Sequence, residues 1–80
     1  MIVAAAIMKD GELWTLPRPA RHGHIIRAYA DVTGKAMGSA GQGFVTDHGV
    51  FCDRATAARH AYECDQIVEP ERELFTEDLW

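Results

Sequence analysis

Residues 43–66 read GFVTDHGVFCDRATAARHAYECDQ, and the order of residue types within them decides the fold. Phe-Val-Thr and Val-Phe-Cys are runs of strand formers. Between them stands Asp47-His48-Gly49, where the glycine supplies the positive φ that a tight hairpin needs. The spacing predicts strands over about 43–46 and 49–52. Asp53 follows at once and is suited to cap a helix, because its carboxylate accepts from the unpaired amides of a first turn. The helix is expected to run to about Gln66. Ala57, Ala58, Ala61, Cys64 and Ile67 form a narrow stripe along it. Small side chains let a helix approach a sheet closely, so the stripe reads as a packing face that buries the Cys64 thiol.

Moving outward, the same strand–turn–strand–helix order stands upstream. Residues 2–8 are apolar, and Asp10-Gly11 ahead of Leu13-Trp14 is a strong two-residue hairpin signal. Strands are expected at 2–9 and 12–16. Pro17 and Pro19 close the second, since neither donates to a sheet ladder, and Pro19 suits the first turn of a helix. From Ala20 onward Ile25, Ile26, Tyr29 and Val32 recur at helical spacing until Gly34 stops the helix. At an offset of thirty-eight, Gly11 aligns with Gly49, Leu13 with Phe51, and Ala20-Arg21-His22 with Ala58-Arg59-His60. Two copies do not establish a period, and the Ala-Arg-His match is open to chance. The element order ββα–ββα stands without it. Two helices need an apolar sheet face to cover, so the expectation is an α+β domain with a mostly antiparallel sheet packed by two helices. Residues 34–43, with four glycines, read as a flexible loop. They do not form a phosphate-binding loop, because Lys35 is misplaced and no strand leads directly into them.

Eighty residues, 48% hydrophobic and 25% charged, bound a single globular domain over 1–80. No apolar run is long enough to span a membrane. MIVAAAIM lacks the basic flank of a secretory signal and reads as a buried first strand. The protein is expected in the cytoplasm, with Cys52 and Cys64 as reduced thiols rather than a disulfide. Net charge is −4, yet it is unevenly placed. Residues 1–40 hold five basic against three acidic residues, whereas residues 41–80 hold three against nine.

The densest positive cluster is Arg18, Arg21, His22, His24 and Arg27, which is suited to a phosphate or an acidic protein surface. His22 and His24, two apart on a helix, diverge too far to share a metal and read as partly exposed residues that cap the helix or contact a partner. Near the C-terminal end, Glu69, Glu71, Glu73, Glu77 and Asp78 alternate with Leu74, Phe75, Leu79 and Trp80. This acidic-aromatic segment, 69–80, is expected to dock its aromatics on the core; the alternative is an exposed tail that binds a partner. His48, Cys52, His60 and Cys64 are a conceivable tetrahedral zinc set, but the closely spaced cysteine pair of structural sites is missing, and no metal or other cofactor is assigned. His60 and Cys64 share a helix face, yet a thiol in a buried stripe is a poor nucleophile. Clustered surface carboxylates do not make an acid–base pair either. The residues therefore predict a non-enzymatic binding protein, and the overall acidity argues against nucleic acid as its primary partner.

Three segments carry a resemblance. LPRPARHGHII (16–26), GFVTDHGVFCDRATAARHAYECDQI (43–67) and LFTEDLW (74–80) resemble recurrent blocks of a group of very short phage and prophage proteins, with Gly23 between the histidines as a departure. The resemblance implies a host bacterial cytoplasm and action by binding host machinery, as anti-CRISPR proteins do. On that reading the chain inhibits a CRISPR–Cas effector, type I Cascade being favoured, and blocks target-DNA binding. Either the acidic face or the Arg/His cluster would meet an effector subunit, with the chain a monomer or a homodimer. The alternative is a phage accessory protein that binds nucleic acid or nucleotide through the Arg/His cluster.

Overall fold

The computed structural model describes residues 1–38 and 40–80. Asp10 and Gly11 both take positive φ, 50° and 82°, the pairing that matches a two-residue turn to the twist of its strands. The turn joins β1 (Ile2–Lys9) to β2 (Glu12–Thr15), with Ile7 opposite Trp14. α1 (His22–Thr33) follows, and Gly34 ends it in the left-handed region at φ 73°. β3 (Gly41–Thr46) and β4 (Phe51–Asp53) form the second hairpin, and α2 (Arg54–Glu63) leaves it without a linker. A short 3-10 turn at Thr76–Asp78 completes the chain.

The four strands form one antiparallel sheet in the order β2-β1-β3-β4. The two hairpins therefore lie side by side, their first strands paired at the centre and their second strands at the edges. This is the arrangement expected of two ββα units related by a pseudo-two-fold axis. Both helices contribute to one core: Ile25 of α1 and Ala57, Ala58 and Ala61 of α2 pack with Ile2, Ala5, Ile7 and Phe44 of the sheet. The alanine stripe does what its size allows, since all three of its alanines are fully buried. The opposite sheet face carries a smaller cluster of Ala4, Ala6 and Val45, edged by Val3 and Phe51.

Several boundaries differ from the sequence reading, each for a local reason. α1 begins at His22, not Ala20, because Arg21 keeps an extended N-cap conformation and Pro19 lies outside the helix. α2 stops at Glu63, because Asp65 takes positive φ (59°) and Gln66 turns back to β1. There its side-chain amide accepts from the Ile2 N–H and donates to the Ile2 carbonyl at 2.9 Å. Cys64, at the C-cap, is consequently exposed rather than part of the buried stripe. The glycine-rich stretch is shorter than expected. Gly41–Gly43 belong to β3, and Met37 is buried in the core. Ser39, within the expected loop, lies outside the described residues. Gly43 has its own requirement, because a Cβ there would run into the Cys52 carbonyl and the Phe51 ring. No helix among the described residues is long and apolar enough to cross a membrane.

Candidate interaction surface

The polar centre of the molecule lies where the two helices begin. His22, the first residue of α1, is buried at 7% exposure. Its Nε2–H donates to the Gly43 carbonyl at 2.7 Å, and its ring meets Phe44 edge-on at 5.2 Å. That bond fixes the neutral tautomer with Nδ1 as acceptor, and Arg54 Nη2, from the first residue of α2, stands 3.5 Å from Nδ1. Burial is the main cause that holds the His22 pKa below its ordinary value, and the Arg54 charge adds to it; the Gly43 bond opposes both. His22 is thus a structural residue and not a surface contact, which corrects its place in the cationic cluster. At offset thirty-eight Gly11 and Gly49 both sit in hairpin turns, but the Ala-Arg-His match does not mark equivalent positions. His60 lies in the last turn of α2, so the positional counterpart of His22 is Arg54, the residue it meets.

Arg54 also binds the C-terminal segment. It donates to Gln42 Oε1 and, through Nη1, to the Leu74 carbonyl at 2.7 Å, while its carbonyl accepts from the Leu74 N–H at 3.0 Å. Its guanidinium stands 4.6 Å from the centre of the Phe75 ring. Leu74 is fully buried and Thr76 nearly so. Asp78 Oδ2 accepts from the Phe75 N–H at 2.9 Å and closes the 3-10 turn. The segment is docked, as the aromatic pattern suggests. Glu69, Glu71, Glu73, Glu77 and Asp78 all remain exposed along it. Glu73 joins Gln42, Asp53, Arg54 and their neighbours around a concavity of about 380 Å³.

Trp80 brings this segment to the entrance of α1. Its indole N–H donates to the Ala20 carbonyl at 3.2 Å, and its own carbonyl accepts from Arg21 Nη2 at 2.7 Å. Arg18 lies 5.7 Å from the centre of its ring. The Arg21 N–H in turn donates to His24 Nδ1 at 2.9 Å, which gives the helix start half of a capping box. Arg18, Arg21, His24 and Arg27 are all exposed, and none of the three arginines forms an ion pair among the described residues. Two concavities of about 400 Å³ flank them, one lined by Leu16, Pro17, Pro19, Ala20 and His24, the other by Arg21, Gly23, His24 and Arg27.

The four zinc candidates are dispersed. His48 sits exposed in the β3–β4 turn, and Cys52 faces the core from β4. His60 Nε2 and Cys64 Sγ are 3.7 Å apart. Among the described residues no three His, Cys, Asp or Glu side chains are placed to hold one ion. Sequence reasoning missed the roles of Arg54 and Trp80. The available signal for Arg54 was its position directly after the cap residue, where a side chain can reach both its own sheet and a segment that returns to it.

The family model of the phage T4 y16D protein matches residues 1–80, and the chain belongs to that family. No curated protein and no solved structure matches it.

Proposed function

We propose that this member of a phage protein family is a non-enzymatic inhibitor that binds a host effector and occupies the basic path its nucleic acid would take. One observation carries the reading: five exposed carboxylates lead into or stand on a segment whose 74–80 end is pinned through Leu74, Arg54 and Trp80. Ordering them in advance lowers the entropy lost on binding, and a fixed anionic surface complements a Lys/Arg-lined channel. A CRISPR–Cas effector, with type I Cascade first, is the partner class to which the resemblance leads. Eighty residues are enough to present the roughly 800 Å² per partner of a standard interface.

The test is a pull-down with tagged protein from cells expressing type I Cascade, followed by target-DNA binding of the recovered complex. Co-purification with loss of DNA binding is expected, and Glu71→Lys with Glu73→Lys should abolish both. No association with the effector would overturn the CRISPR reading. The exposed Arg18, Arg21 and Arg27, none in an ion pair with an acidic side chain among the described residues, favour a second reading, an accessory protein that binds nucleic acid. In that case the chain alone should bind DNA, with an affinity that falls steeply as salt rises.

A further inference from the structure

We propose that the two concavities at the entrance of α1 form one composite site for an acidic peptide segment that carries a large aliphatic residue beside its carboxylates. The site is separate from the carboxylate strip and stands on different observations. His24 lines both hollows, so they adjoin at its side chain. The first is walled by Leu16, Pro17, Pro19 and Ala20, which offer apolar contact, with His24 as its single aromatic ring. The second presents the Arg21 and Arg27 guanidinium groups, neither paired with an acidic side chain among the described residues, although Arg21 reaches the Trp80 main-chain oxygen. One hollow therefore asks for a side chain without charge, and its neighbour asks for anions. Nucleic acid meets the second demand, but in the first hollow it finds one imidazole rather than the succession of aromatic faces on which single strands stack.

The floor between the arginines is open for a definite reason. Gly23 has no side chain, and a Cβ built there meets no atom within 4 Å. The site is also held in shape. His24 Nδ1 is fixed by the Arg21 N–H, which leaves Nε2–H as the free donor of a neutral ring, and the Arg21 guanidinium is steadied by the Trp80 carbonyl. A hollow of about 400 Å³ accommodates one or two side chains rather than a folded domain. A short linear segment is therefore the fitting occupant.

Calorimetric titration provides the test, with a capped peptide in which two leucines are set among glutamates as the probe. Saturable binding is expected. Gly23→Leu should weaken it at least about tenfold by filling the hollow, and Arg27→Glu should do so by reversing its charge. Neither residue makes a side-chain contact on which the fold depends, so melting should stay near that of the unaltered chain and loss of binding would not reflect unfolding. Three results would overturn the proposal: no binding of the peptide, unaltered binding by Gly23→Leu, or equal binding of a leucine-free glutamate peptide or an oligothymidylate of equal charge. Glu71→Lys with Glu73→Lys should leave the titration unchanged, which keeps the fate of this site distinct from that of the strip.

Discussion

His22 joins three elements through one ring, and its chemistry makes the fold sensitive to pH. The native ring is neutral, with Nε2–H on Gly43 and Nδ1 facing Arg54, and its pKa lies below the ordinary 6.5. As pH falls through 6.5 the unfolded chain takes up a proton that the native chain refuses. Stability is therefore full above that value and declines below it, until the depressed native pKa is reached. Urea midpoints measured from about pH 7.5 down to about pH 5 should show this decline, and His22→Gln should flatten it. The same substitution at neutral pH should cost about 1–3 kcal/mol if the Gly43 carbonyl is left unpaired. Gly43 is the second sensitive position. Gly43→Ala pushes a methyl group into the Cys52 carbonyl and the Phe51 ring, and should lower stability by about 1–3 kcal/mol in denaturant unfolding. Neither requirement is legible in the sequence. A histidine at the start of a helix and a glycine at the end of a polar run announce nothing until the packing of β3 against α1 is known.

Elements governed by local chemistry were the legible ones. The Asp10-Gly11 turn, the Gly49 turn at φ 77° and the Asp53 cap, whose Oδ1 accepts from the Thr56 N–H at 2.8 Å, each follow from one or two residues. That amide bond is the main cause that holds the Asp53 pKa below its ordinary value. Asp53→Ala should lower the melting temperature by a few degrees. Boundaries set by distant partners were not legible. α2 ends early because Gln66 is needed at Ile2, a residue sixty-four positions away. The C-terminal segment was legible as something that docks, through Leu74, Phe75, Leu79 and Trp80, but not as something that docks on Arg54. Leu74→Ala should cost about 2–5 kcal/mol. It should also release the carboxylate strip, so the effector binding proposed above should weaken along with the thermal transition.

The whole molecule is two ββα units that share one core and one sheet, and neither owns a core of its own. β1 and β3 are each other's central partners, and Ile25 and Ala58 pack into the same cluster. Peptides covering 1–40 and 41–80 should each be unfolded by circular dichroism when alone. A helical signal from either alone would contradict a single shared core. The charge division seen in the sequence persists in space at one boundary, where Trp80 sets the acidic segment against Arg18 and Arg21. That boundary brings the carboxylate strip and the peptide site to one end of the fold, so a single partner is able to engage both.

The Gln66 clamp on Ile2 and the Trp80 contact with Ala20 bear on how the chain is made as well as on how it is held. β1 finds its central neighbour only when β3 has been made, and its clamp only after α2. The last aromatic ring then closes over a helix start synthesised sixty residues earlier. Contacts of such sequence separation slow folding and keep apolar strands exposed meanwhile. The shared core therefore forms only once residues sixty or more positions apart have met.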